Sequence, residues 1–142
     1  MQEGQMADAA DRTEIVNLLA RYCLTLDHHD IEGWISLFIP DGRYVVYGQT
    51  FEGHEGLRRM MSTAPRGLHL GGPPEIELHG DRAMTRQNLL FIQADTQESR
   101  LAVYSDDLVK TSKEGWRIAA RHCQFMGFDG ELGDRPPRRA ES

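Results

Sequence analysis

The sequence predicts an α+β domain, a cone-shaped barrel of a curved mixed or antiparallel sheet with N-terminal helices covering one face. Apolar residues recur at helical spacing mainly in residues 8–61, whereas residues 68–125 consist almost entirely of strand-like segments. Three long strand segments follow one another with short connections, which favours an antiparallel meander. A curved sheet closed by helices leaves a cone-shaped hollow, and an apolar hollow with a few polar groups is the usual place for a small ligand.

Turn residues and hydrophobic periodicity divide the chain into one domain, residues 8–127, between a flexible start, 1–7, and a flexible tail, 128–142. Asp8 or Asp11 caps the first helix, whose apolar face contains Ile15, Leu18, Leu19, Tyr22, Cys23 and Leu26. The predicted elements are helices at 8–27, 31–38 and 54–61, a turn at 40–42, a turn or hairpin at 48–53, and strands at 43–47, 68–70, 75–78, 83–94, 100–110 and 116–125.

Composition excludes several classes of function. The chain has 142 residues, 39% hydrophobic and 27% charged, which is typical of one globular domain. A net charge of −6 disfavours nucleic acid. No segment approaches the roughly 18 consecutive apolar residues of a membrane span, and the acidic N-terminus does not resemble a signal peptide. Cys23 and Cys123 lack metal-site spacing. We therefore expect a cytoplasmic protein with reduced thiols and without nucleic-acid or membrane partners.

Asp27 and His69 are the residues whose chemistry suggests a reaction. Asp27 ends the first helix, on the rim of its apolar face, and His69 lies on a short apolar segment between glycines. An imidazole accepts a proton near neutral pH, and a carboxylate on its other nitrogen fixes the tautomer. Our hypothesis is that the two residues meet at the bottom of an apolar pocket as general base and orienting group. The alternatives are a structural histidine and an aspartate that caps the following turn.

Other side chains have two interpretations each. Tyr22 is either a core aromatic or a group that polarises a substrate carbonyl or assists a leaving group. Tyr44, Trp34, Phe38 and His122 are candidates for the substrate-binding wall. Whether Tyr44 faces the pocket depends on a strand parity that the sequence leaves open, and Trp34 and Phe38 fit core packing better than a specific cofactor site. His122 shares a parity with Trp116, Ile118 and Ala120, and is either a pocket group or a sheet-face residue at an interface.

A resemblance sharpens these expectations. The chain resembles the SnoaL-like branch of the nuclear transport factor 2-like (cystatin-like) superfamily over about residues 10–127. The matching segments are Tyr22-x4-Asp27, the run from Asp30 to Gly42, Phe51 to Leu57, His69, His79 to Ala83, and Gly115 to Ile118. Within this branch the chain is similar to scytalone dehydratase, bile acid 7α-dehydratase and hexachlorocyclohexane dehydrochlorinase. The resemblance implies a catalytic Asp–His pair, here Asp27 and His69, with Tyr22 at the position of a further catalytic tyrosine.

The resemblance implies a lyase, either a dehydratase or another β-eliminating enzyme, or an isomerase. It would need neither metal nor organic cofactor and would act on a small apolar substrate, cyclic or open-chain. The segment after His69, Leu70-Gly71-Gly72-Pro73-Pro74, departs from relatives that have a polar residue and an asparagine there, so the substrate does not carry over. The alternative is a non-catalytic ligand-binding or dimerisation module of the same fold. In both cases we expect a homo-oligomer, a dimer or trimer formed through the sheet.

Overall fold

The computed structural model describes residues 2–138. Met1 and residues 139–142, the end of the predicted tail, lie outside the described residues. The elements are α1 (Gln2–Asp27), α2 (Ile31–Ile35), β1 (Phe38–Val46), β2 (Gln49–Glu52), α3 (Gly53–Thr63), β3 (Gly67–Gly71), β4 (Glu75–His79), β5 (Arg82–Gln93), β6 (Ser99–Thr111), β7 (Gly115–Met126) and β8 (Leu132–Gly133). Helices dominate the N-terminal half and strands the remainder, which confirms the predicted α+β class.

The strands form one curved sheet in the order β2-β1-β7-β6-β5-β3, with β4 also paired to β5 and β8 to β7. Within residues 2–138, β1 and β7 are the only parallel pair, and the other pairs are antiparallel. The mixed sheet of the prediction is therefore present, but it stays open and does not close into a complete barrel.

Helix α1 supplies the helical side of the core. Its apolar stripe, which includes Ile15, Leu18 and Tyr22, is almost completely buried and packs with the inward residues of the sheet. Burying a large apolar side chain stabilises a fold by about 1.5–3 kcal/mol, so this stripe holds α1 on the sheet. None of the helices in residues 2–138 has both the length and the hydropathy that a bilayer crossing requires.

Three boundaries differ from the sequence prediction. Helix α1 begins at Gln2, so residues 2–7, predicted as a loose start, are helical and exposed. In the predicted tail, β8 pairs with the end of β7. Pro40-Asp41-Gly42, predicted to end the second helix, lies inside β1, as does Phe38. A register shift of β1 against β7 between Phe38 and Arg43 accommodates the proline, which has no N–H to donate to a ladder.

A second irregularity sets which side chains of β7 face the core. Asp107 pairs with Ala120, but the next residue, Leu108, pairs with Ile118, so Ala119 is an extra residue on β7. Trp116 and Ile118 point inward before this bulge, and Arg121, Cys123 and Phe125 point inward after it. A single inserted residue thus exchanges the two faces of the strand.

Candidate active site

Asp27 and His69 are in direct contact. The Nδ1–H of His69 donates to Oδ1 of Asp27 at 2.6 Å, and the backbone N–H of His69 lies 3.1 and 3.0 Å from the two carboxylate oxygens. The side chains are 12% (His69) and 9% (Asp27) exposed. Because an ionised carboxylate can only accept, the hydrogen of a neutral His69 lies on Nδ1 and Nε2 keeps a free lone pair. Asp27 therefore fixes both the tautomer and the position of the ring.

Strand β3 brings His69 to this point. His69 pairs with Phe91 of β5, and the two rings lie 4.5 Å apart. Two residues earlier, a Cβ on Gly67 would collide with the Ile92 carbonyl oxygen and the Phe91 ring. Glycine thus permits the close approach of β3 to β5 at the place where α1 ends and presents Asp27.

The surroundings of His69 keep its imidazole neutral. Burial is the largest influence on the pKa of His69 and lowers it, since desolvation disfavours the imidazolium. The hydrogen bond and the charge of Asp27 raise this pKa, and the nearby Arg121 cation lowers it; the net result is a pKa below the ordinary value of 6.5. At pH 7 the ring is therefore a neutral proton acceptor.

His69 faces a narrow apolar cavity. The cavity has a volume of about 50 Å³ and is partly open to solvent. The walls are Leu26, Tyr44, Val46, Tyr47, Met60, Ala64, Pro65, Leu89, Phe91, Arg100, Tyr104, Cys123 and Phe125, together with His69 itself. Most of these groups are apolar or aromatic, so a bound molecule would place its polar groups against the histidine, the tyrosines or the arginine.

The structure brings only some of the predicted site residues to this cavity. Tyr44 lines it with His69. Tyr22, Trp34 and Phe38 do not line it; they form a buried aromatic cluster in which the Tyr22 ring lies 5.8 Å from Trp34 and 6.3 Å from Phe38. The Tyr22 hydroxyl is fully buried, near the side chains of Tyr44 and Arg121, and burial raises the pKa of Tyr22. The prediction that Tyr22, Trp34 and Phe38 contact substrate is corrected to a role in the wall behind the cavity.

His122 is also corrected. The bulge at Ala119 turns His122 to the outer face of the sheet, where it lies near Arg43, Val45 and Ser105. It therefore faces away from His69, and its second interpretation, a sheet-face residue, agrees with this position.

Sequence reasoning missed a buried ion pair next to the site. Arg121 Nε and Nη2 donate to the Asp106 carboxylate at 2.6 and 2.8 Å, and both side chains are completely buried. The Arg121 guanidinium lies between two rings, 4.0 Å from the centroid of Tyr22 and 3.9 Å from that of Tyr104. Strand alternation would have placed Tyr104 and Asp106 together on the inward face of β6. It could not have placed Arg121 there, because the bulge in β7 reverses the alternation.

Metal ligands do not cluster in the described part of the chain: no three His, Cys, Asp or Glu side chains of residues 2–138 lie close enough to hold an ion. His28 and His29, at the corner after α1, are exposed. Cys23 and Cys123 are buried free thiols.

Comparison with known proteins identifies relatives over most of the chain. The family model of the SnoaL-like domain matches residues 7–122. An uncharacterised Mycobacterium tuberculosis protein is 29% identical over 129 residues, which cover 82% of this chain and 86% of the relative. A solved M. tuberculosis protein of unknown function is 32% identical, with a TM-score of 0.72, over 78% of this chain and 73% of that chain.

More distant solved structures share the fold. A nuclear transport factor 2-like protein with a cystatin-like fold from Novosphingobium aromaticivorans has a TM-score of 0.81 at 24% identity, over 92% of this chain and 90% of its own. A protein provisionally named a scytalone dehydratase, from the same organism, has a TM-score of 0.74 at 20% identity, over 99% and 100%. A hexachlorocyclohexane dehydrochlorinase has a TM-score of 0.75 at 16% identity, over 93% and 92%.

Proposed function

The chain belongs to the SnoaL-like domain family, and from its Asp27–His69 contact we propose that it is a cofactor-independent lyase or isomerase. The lyase reaction would be a dehydration or another β-elimination, and the substrate a small apolar molecule, cyclic or open-chain. The observation that carries the proposal is the 2.6 Å hydrogen bond that leaves His69 Nε2 free at the cavity. Fold relatives named as a dehydratase and a dehydrochlorinase support the same reaction class.

In this mechanism His69 Nε2 removes a proton from a carbon next to a carbonyl or another electron-withdrawing group. Asp27 stabilises the imidazolium that forms. The electron pair of the broken C–H bond forms a C=C bond, and the leaving group on the neighbouring carbon departs with its own bonding pair. If His69 instead returns the proton to a different carbon, the product is an isomer.

The hydroxyls of Tyr44 and Tyr104, rather than that of Tyr22, are the donors we propose for the substrate oxygen. Both residues line the cavity, and burial raises the pKa of each phenol well above its ordinary value, so each keeps its proton. A neutral phenol donates to a developing oxyanion or a leaving hydroxide. Because the chain itself supplies base and donors, the proposal requires neither a metal nor an organic cofactor.

The size of the cavity favours a second candidate, a non-catalytic binding module. A volume of about 50 Å³ open to water is small for an enclosed substrate, so the walls must move apart before a larger molecule binds. A module of this kind would hold a small ligand without changing it.

One experiment separates these possibilities. Small β-hydroxy and β-halo carbonyl compounds are incubated with the protein in D₂O and followed by ¹H NMR. New alkene signals identify a lyase, and deuterium at a second carbon identifies an isomerase. Ligand line broadening without either change identifies a binding module and contradicts the catalytic proposal.

The pH profile of kcat/KM follows from the lowered pKa of His69. The base must be neutral, so activity should fall as the pH drops through this pKa, with a midpoint below 6.5. Asp27→Asn removes the interactions that raise the pKa, and the midpoint of its residual activity should move lower still. Initial rates between pH 4 and pH 8 check this, and a midpoint above 6.5 contradicts it.

For assembly we propose a homo-oligomer that covers the outer sheet face. Leu68, Leu70, Met84 and Leu101 are each about half exposed there, which is a large apolar surface for a monomer. Sedimentation equilibrium of the wild type and of Leu101→Glu tests this assembly, which should be disrupted in the variant.

A further inference from the structure

Three side chains form a row across the inner face of the sheet at the cavity. His69 of β3 pairs directly with Phe91 of β5, and Phe91 pairs directly with Arg100 of β6. The Phe91 ring lies 4.5 Å from the His69 ring and 5.9 Å from the Arg100 guanidinium. Both outer members of the row line the cavity. A base and a cation therefore stand on the two sides of one aromatic ring.

Arg100 has only neutral hydrogen-bond partners among the described residues. Its Nη1 donates to the Tyr47 hydroxyl at 3.0 Å, and its Nη2 lies 3.5 Å from the Gln93 side-chain oxygen. No carboxylate of residues 2–138 forms an ion pair with it. Among the described residues it is also the only Lys or Arg in the cavity wall. A half-buried guanidinium usually pairs with an anion, so its lack of one here requires an explanation.

The charge of Arg100 has the sign opposite to that of the chain as a whole. Its hydrogen-bond partner Tyr47 also lines the cavity, so the guanidinium and the phenol face the same space. The chain as a whole carries a net charge of −6. A cation in the wall of an apolar cavity would attract an anionic molecule and orient it with its apolar part along the apolar walls.

We infer that Arg100 binds the carboxylate of the substrate, so the substrates are small apolar carboxylic acids whose reacting carbon faces His69. That the bound acid is also a substrate rests on the proposed function, whereas the binding of an anion by Arg100 does not. Strands two apart in a sheet are separated by about 10 Å, which places the carboxylate and the reacting C–H within a few bonds of each other. Tyr47, which accepts from Arg100, keeps its own O–H free to donate to the same carboxylate.

The test measures binding, not turnover. The probes are straight-chain carboxylates from butanoate to decanoate and cinnamate, each compared with its primary amide, which has nearly the same shape and no charge. Affinities come from ¹H–¹⁵N NMR titration at low salt and pH 7.5. We expect at least one carboxylate to bind about tenfold or more tightly than its amide, as charge-assisted hydrogen bonds generally allow.

Arg100→Gln should reduce that preference to less than about threefold while amide binding stays the same. Arg86→Gln is the matched control, because Arg86 lies on β5 with its side chain exposed on the outer face. The inference is wrong if no carboxylate in the series outcompetes its amide, or if Arg100→Gln leaves the preference intact. His69→Gln should retain the preference for the carboxylate. If the anion site is present but no compound is turned over, the proposed reaction is wrong and this inference stands.

Discussion

Replacing His69 by glutamine is expected to lower kcat by about 10²–10⁴-fold, the usual contribution of a positioned general base. Glutamine fills a similar space and can hydrogen bond to Asp27, but it cannot accept a proton from carbon. The substrate identified in the D₂O experiment is used for steady-state kinetics. KM should change little, because the contacts between the apolar walls and the substrate remain.

Asp27→Asn tests the other half of the pair. An amide can still accept from the backbone N–H of His69, but it no longer stabilises the imidazolium, so a large loss of kcat is expected here too. His79→Gln is the matched control, since His79 also contacts a carboxylate, Glu77, but is exposed and outside the cavity. Circular dichroism and urea unfolding must show that the variants fold. Unchanged turnover in both folded variants would disprove the mechanism.

The position of Asp27 was predictable because it depends on local rules. Helical periodicity from Ile15 to Leu26 places the rim of the apolar face at Asp27, and the helix does end there. The contact with His69, 42 positions away, did not follow from local rules. The chemistry of the two side chains suggests that they act together, and the resemblance to a family with a catalytic Asp–His pair strengthens that hypothesis.

The faces of β7 show why strand parity failed. Alternation from Trp116 predicts that His122 shares its face, but Ala119 is an inserted residue and the alternation reverses there. No residue type marks this bulge, since alanine is compatible with a regular strand as well. Arg121 was therefore overlooked, and alternation alone could not decide between the pocket and the outer sheet face for His122.

Periodicity also cannot distinguish a core position from a cavity wall. Tyr22 and Tyr44 both fit apolar stripes and both are buried, yet only Tyr44 lines the cavity. The difference depends on where neighbouring rings leave space, which is a property of packing in three dimensions. Arg100 was missed for a related reason, because an arginine near the end of a strand usually faces solvent.

The ion pair of Arg121 and Asp106 gives the largest expected effect on stability. Asp106→Asn removes the negative charge and leaves a fully buried guanidinium with neutral partners, Gln87 and the ring faces of Tyr22 and Tyr104. Breaking a buried pair from one side typically costs about 3–5 kcal/mol. Urea unfolding of Asp106→Asn should show this loss in the free energy of unfolding. Arg58→Ala, which breaks an exposed pair with Glu32, is the control and should lose less than about 1 kcal/mol.

Removing both charges should be less harmful than removing one. In Asp106→Leu combined with Arg121→Met, no unpaired charge remains in the core, and exchanges of this kind are often neutral or stabilising. Recovery should be incomplete here, because Thr85 donates to Asp106 at 2.8 Å and would lose its acceptor, at a cost of about 1–3 kcal/mol. The double variant should therefore unfold at a urea concentration between those of Asp106→Asn and the wild type. A double variant less stable than Asp106→Asn would contradict this expectation. It would mean that contacts of these two side chains other than the attraction between their charges stabilise the fold.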